Sequence, residues 1–239
     1  MNSHSTNSPD QNLKKIHNLK WLPWIGNDYF AQDKKLLIMA ESQYGQGETK
    51  EQYDKDLAIV NDVNFTVNAV HQTQIEKHYK HLALDNFLKA MFGNATINKE
   101  KLWQNLAFYN FVQRTMDYSS FNGNKTEQPT NTDFDEGWKV FADVITILKP
   151  TDCIFIGVTA ATSFERMMDV LNIQRTERIY HDKINSAKPA TTSVTIDGLK
   201  TKISFIKHSS AYFSPDSWQP FLEEYHSEII SGILKKCLT

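Results

Sequence analysis

The chain has 239 residues, 40% of them hydrophobic and 23% charged, which is ordinary globular usage and excludes collagen-like, disordered and disulfide-scaffold classes. Its 26 basic and 28 acidic residues leave a formal charge of -2, so charge alone neither demands nor excludes a nucleic-acid partner. No apolar run approaches the ~20 residues of a membrane helix, and Cys153 and Cys237 are too few for a disulfide framework, a four-thiolate zinc site or an iron-sulfur cluster. No cofactor, no metal and no membrane partner are therefore expected, and the polar N-terminus, lacking a signal sequence, points to the cytoplasm.

Residues 1–20 are Ser/Asn/Gln-rich and read as a flexible leader ahead of a single domain over 21–239. Trp21 to Gly26, broken by Pro23, reads as a packed loop, and Lys35 to Ala40 as a buried strand emptying into a loop at Glu41-Ser42-Gln43-Tyr44-Gly45. Helical spacing fills residues 50–92, ending at Gly93-Asn94. A short helix over 99–104 leads to a second strand, Leu106 to Tyr109, which ends at Asn110-Phe111-Val112-Gln113. A polar loop follows from Ser119 to Asn131.

Asp133 is placed to cap a helix running to Leu148, stopped by Pro150. Asp152 to Ile156 is a third strand, followed by the small residues from Gly157 to Ala161. Two extended runs, Thr191 to Ile196 and Lys200 to Lys207, flank the hairpin signal Asp197-Gly198. The second run ends at His208-Ser209-Ser210, and Ser214-Pro215 opens a last helix through Lys236. Strands alternating with helices predict an α/β fold with a mainly parallel four-stranded sheet and a site at the carboxyl ends of its strands. That site is expected from the loops at Glu41, Asn110, Gly157 and His208.

Those four junctions, in that order, resemble the uracil-DNA glycosylase superfamily over roughly residues 35 to 225. Ala40 to Gly45 sits where that superfamily carries its water-positioning motif, Gly-Gln-Asp-Pro-Tyr-His in one branch and Gly-Glu-Ala-Pro-Gly in the iron-sulfur branch. Leu106 to Val112 is similar to the strand ending in a base-reading asparagine. Ile156 to Ala161 is similar to Leu-Gly-Ala-x-Ala-Ala, and Lys207 to Tyr212 looks like the segment that usually carries His-Pro-Ser. The resemblance implies a three-layer α/β/α fold and excision of a uracil or modified pyrimidine from DNA, leaving an abasic site in repair or in defence against phage.

It further implies Glu41 and His208 as catalytic groups: Glu41 orients water, and His208 stabilises the anion of the departing base. Asn110, Tyr44, Phe111 and Ser42 become base-binding candidates, and Lys207, Ser209, Ser210 and Tyr212 contacts to DNA, with Tyr212 as the wedge. Such a protein is expected to act as a monomer, with the helices of 50–92 beside the site.

The departures are Ala40 for glycine, Ser42 where one branch has aspartate, Gln43 for proline, Ser209 for the proline of His-Pro-Ser, and the missing cluster thiolates. They imply a divergent, metal-free member. Two alternatives stand beside it: a catalytically inactive DNA- or nucleobase-binding protein, and an unrelated α/β hydrolase, although the segment around Ser42 lacks both glycines of a nucleophile elbow. His71, His78 and His81 read as solvated helix positions rather than metal ligands.

Overall fold

The computed structural model describes residues 10–119, 127–210 and 212–238; the expected leader residues 1–9 and loop residues 120–126 lie outside them. In chain order the described elements are α1 (Asp10–Leu13), β1 (Trp24–Ile25), β2 (Leu36–Ala40), β3 (Gln43–Gly47), α2 (Lys50–Val60), α3 (Phe65–Val70), α4 (Leu82–Phe92), α5 (Lys99–Gln104), β4 (Leu106–Asn110) and β5 (Thr115–Ser119). These are followed by α6 (Asn131–Leu148), β6 (Asp152–Ile156), α7 (Phe164–Val170), β7 (Gln174–Arg175), β8 (Ile179–Tyr180), β9 (Ala190–Ile196), β10 (Leu199–Ile206) and α8 (Pro215–Cys237). No helix among the described residues is long and apolar enough to cross a membrane.

The protein is mixed α/β around a large central sheet ordered β1-β4-β2-β6-β10-β9-β7, with β8 also paired to β9. Its four central strands, β4, β2, β6 and β10, are mutually parallel. These are the four strands expected, but the sheet does not stop at them. Antiparallel strands extend both sides, giving eight strands in place of four. The additions at β1, β7 and β8 are two residues each, too short to leave a period-two signature. The Asp197-Gly198 turn joins β9 and β10 with positive φ at both residues, as a type I′ hairpin requires.

Two further expectations are corrected. Gln43 to Gly47, read as loop, is the strand β3, held by parallel pairing to β5 in a small second sheet. Cross-strand hydrogen bonding makes it a strand without any hydrophobic alternation. The cap of α6 is Thr130, not Asp133. Asp133 is the reciprocal partner in a capping box and also holds Arg114 through two nitrogens.

Every central strand buries both faces, which is why these strands read as continuous apolar runs. On one face Leu37, Met39, Ala107, Tyr109, Phe155 and Phe205 pack with Trp138 and Phe141 of α6 and Phe164 of α7. On the other, Leu36, Ile38, Phe108, Ile154 and Ile206 pack with Phe87 of α4, Trp103 of α5 and Trp218 of α8. The expected leader is also partly core. Leu13 is fully buried, and Ile16 and Leu19 pack on the first face, because apolar side chains hidden among the polar residues of 10–20 find a hydrophobic surface there.

A buried polar chain crosses the second face. His226 Nδ1 donates to Asp152 Oδ1 at 2.9 Å, Ser204 Oγ lies 2.8 Å from His226 Nε2, and Thr151 donates to Asp152 Oδ2 at 2.8 Å. Lys202 stands 3.2 Å from the same carboxylate. This network anchors α8 where its backbone leaves helical geometry, at His226. It has the residues of a nucleophilic triad, but Ser204 is 1% exposed and sits mid-strand, where its backbone is committed to the sheet and offers no oxyanion-binding amide.

Burial acting alone would raise the Asp152 carboxyl, but His226, Thr151 and Lys202 outweigh it and hold the carboxyl below the ordinary range. Its stabilisation is therefore complete above the unfolded-chain value near 4 and is lost as pH falls through the lowered folded value. Asp152→Ala, which strands His226 without its partner, is expected to cost about 3–5 kcal/mol in urea unfolding at pH 7, with the difference from wild type shrinking under acid conditions.

Candidate active site

A cavity of about 740 Å³ opens at the carboxyl ends of the parallel strands. Ala40 and Ser42 line it from the end of β2, Phe108 and Asn110 from β4, Ile156 from β6 and His208 from beyond β10. The helical segment after β3 closes the other side with Asp56, Phe65, Thr66, Thr73, Tyr79 and His81. The structure thus brings together four of the expected residues, Ser42, Tyr44, Asn110 and His208. Asn110 is 5% exposed, and its amide donates to Thr66 Oγ1 at 3.4 Å. His208 Nδ1 lies 2.8 Å from Ser210 Oγ.

Two expected residues fall elsewhere, for one reason. Strand side chains alternate between faces, so the residues following the last β2–β4 pair, Ala40 and Asn110, start on the opposite face; beyond that pair Phe111 N–H donates to Ala40 O at 2.7 Å and Val112 N–H to Glu41 O at 2.9 Å in a bend that puts Phe111 and Val112 in the first core. Ala40 and Asn110 therefore share the cavity face, while Glu41 and Phe111 turn to the opposite one. Phe111 is fully buried, 4.6 Å from the Trp138 ring and 4.9 Å from that of Phe155, in a seat that exists because Gly137 has no Cβ to meet it. It belongs to the core and does not stack on a ligand. The aromatic on the cavity face is Phe108, two residues before Asn110.

Glu41 is absent from the cavity lining. Its carboxylate lies against Gly157 and the start of the segment leading into α7, in the crevice between β2 and β6. Burial raises its pKa, and the nearby amides of Thr159 and Ala160 with the Thr159 side chain offset this only in part. Oε2 is buried and makes no hydrogen bond among the described residues.

The segment after β10 also departs from expectation. Ser209 is fully buried and donates to Ala83 O at 2.7 Å, while Asn86 donates to Ser209 O at 2.9 Å, so Ser209 fastens the segment to α4 and has no hydroxyl proton to offer a phosphate. Ser210 orients the His208 ring. Lys207 donates to Tyr212 O at 2.8 Å and to Ser186 Oγ at 3.3 Å. Tyr212 is 92% exposed with φ +57°, and its neighbour Ala211 lies outside the described residues.

His208 keeps an exposed side at the rim, yet surrounding protein and then the adjacent His81 hold its pKa below the ordinary imidazole value. His81, expected on a solvated helix face, instead takes the N-cap position of α4 and lines the cavity. His71 and His78 stand 3.3 and 3.4 Å from Glu76 oxygens. Among the described residues no cluster of three or more His, Cys, Asp or Glu side chains has the arrangement to hold a metal.

Of the residues missed, Phe108 carried a readable signal, its i−2 position on the Asn110 strand. Phe65, Thr66 and His81 carried none, because their arrival depends on how 50–92 folds back over the sheet. The lining contains no Lys or Arg and one carboxylate, Asp56, which accepts from Gln46 N–H at 2.7 Å. Apolar walls with scattered amide, hydroxyl and imidazole groups suit a neutral heterocycle better than a phosphate.

Gly157 has φ +145°, and an added Cβ would stand 2.6 Å from Glu41 Oε2. Gly157→Ala is expected to lose about 1–3 kcal/mol of unfolding free energy, through strain at a glycine-only backbone conformation and through the Glu41 clash. Adding Glu41→Ala to it should recover only the clash component, measurable as a double-mutant cycle in urea. No protein-family model and no curated protein matches the chain, so the chemistry of this cavity has to be read from its own residues.

Proposed function

We propose that the chain is a DNA base glycosylase, a divergent metal-free member of the uracil-DNA glycosylase superfamily with its three-layer α/β/α build, acting as a cytoplasmic monomer on DNA. The observation carrying this reading is the convergence of the Asn110 amide and the His208 imidazole on one cation-free cavity with an aromatic wall at Phe108. A flipped uracil or modified pyrimidine enters that cavity, Asn110 pairs with its carbonyl and imide edge, and His208 donates to the carbonyl on which negative charge gathers as the glycosidic bond breaks. Tyr44 and Ser42 complete the wall. The exposed Tyr212, beside Lys207, is the side chain positioned to fill the gap left in the duplex.

Glu41 lies in the neighbouring crevice with Oε2 buried against Gly157, so to orient the attacking water its carboxylate has to turn from there into the cavity. Water then adds to the sugar carbon and gives up a proton, the base leaves with the electrons of the glycosidic bond and takes up a proton at its nitrogen, and an abasic site remains. A second reading, base binding without excision, is favoured by the absence of Glu41 from the cavity lining.

The two separate on a panel of duplex and single-stranded DNAs carrying uracil, thymine mismatches or 5-substituted cytosines, treated with alkali. Excision predicts strand breaks that vanish in His208→Ala and Asn110→Ala, and binding without breaks supports the second reading. Glu41→Gln supplies an orthogonal check. Because the Glu41 carboxyl is raised, its ionisation destabilises the fold as pH rises through the folded value. Glu41→Gln should therefore melt above wild type at pH 7, converge with it below about pH 4, and lose the strand breaks if the carboxylate handles the water.

A further inference from the structure

Two imidazoles, not one, stand on the cavity wall, and each has its Nδ1 engaged by protein. His208 is tied through Nδ1 to Ser210 Oγ at 2.8 Å. His81 is tied through Nδ1, which accepts the Leu84 N–H at 3.3 Å as the N-cap of α4. Their segments are fastened to each other by Ser209 Oγ to Ala83 O and by Asn86 to Ser209 O, and both rings line the same cavity. In each ring Nε2 is the nitrogen left for a ligand.

For His81 the hydrogen bond also settles what that nitrogen is. An Nδ1 that accepts a backbone N–H carries no proton, so the neutral ring has its proton on Nε2 and is a fixed donor. Its setting favours the neutral ring. It sits at the positive end of an 11-residue helix and is partly desolvated. The charged groups nearby are Asp85 in the first turn of α4, itself neutralised by Lys99 at 2.6 Å, Asp56 on the same cavity wall, and His208.

We infer that His81 is a second base-contacting residue: its Nε2–H, together with the Nε2–H that His208 carries when the Ser210 hydroxyl donates to its Nδ1, forms a two-donor hole for a ring carbonyl oxygen of a pyrimidine base, with Asn110 reading the rest of the edge. This rests on the proposed base-binding role of the cavity and adds a group that the glycosylase resemblance does not supply. A base lacking a ring carbonyl, such as adenine, leaves both donors without an acceptor and is rejected. When the base departs, two neutral donors meet the developing oxyanion in place of one.

His81→Asn is the informative substitution, because asparagine retains N-cap ability while removing the imidazole. The experiment follows the imidazole nitrogens of the full-length protein by NMR, across pH and during addition of free uracil, cytosine and adenine, together with excision rates on the DNA panel. The inference expects uracil and cytosine, but not adenine, to shift the Nε2 signals of both rings. It expects His208 to titrate at higher pH in His81→Asn, and excision to fall about 10²–10³-fold with helix content kept.

Base-induced shifts at His208 with the His81 ring unmoved, or an excision rate unchanged in His81→Asn, overturn it and leave His81 as a cap. If no DNA is cut by the wild type while both rings respond to uracil, the glycosylase reading fails and the two-donor site stands. If neither ring responds to any base, the site falls regardless of what is cut.

Discussion

The constraint on which the rest of this structure depends is that the four central strands are parallel and covered on both faces. The residues of β2, β4 and β6, and those of β10 from Ile203 to Ile206, serve one of two cores, and the parallel register holds to the strand ends. One face collects the aromatic cluster centred on Trp138, the other the cluster under α4, α5 and α8. The cavity is the place where the second face runs out of helix to cover it. Its floor is simply the last members of that face, Ala40, Phe108 and Ile156, with Asn110 as the first polar residue in the row. A shift of one residue would have exchanged Asn110 for Phe111 and filled the site.

Two groups of polar side chains in this fold are arranged in opposite ways. Asp152, His226, Ser204, Thr151 and Lys202 satisfy one another under α8, and this closure is what makes them structural. The cavity is arranged differently. His81 and His208 each have one nitrogen bound by protein and one not, and Glu41 keeps a buried oxygen without a partner in the next crevice. Anchoring one atom of a side chain while leaving the other uncommitted fixes ring or carboxylate orientation before a ligand arrives, which is the preorganisation that recognition of a neutral heterocycle requires.

The division between cavity and crevice also sets the electrostatics. Lys and Arg are absent from the cavity lining, so a phosphate has no reason to enter it, while Lys207 and the exposed Tyr212 lie on the outer segment that also supplies His208. Desolvation lowers the pKa of both histidines, and for His208 the neighbouring His81 lowers it further.

By itself the sequence determined the four parallel strands, the hairpin at Asp197-Gly198, the helices of 50–92 and 99–104, a helix running to Leu148, and a site at the strand ends that includes Asn110 and His208. These follow from local rules: continuous apolar runs, turn residues and loops at the carboxyl ends of strands. Only the tertiary structure decided which side of a strand each junction residue takes, and that moved Glu41 and Phe111 off the cavity. It likewise decided that Gln43 to Gly47 would pair as a strand, that Ser209 would be spent on Ala83 O, and that His81 would reach the site. In each case the deciding partner lies tens of residues away or more, on another strand or helix. Sequence periodicity reports the environment averaged along one segment, not the identity of the group that arrives opposite it.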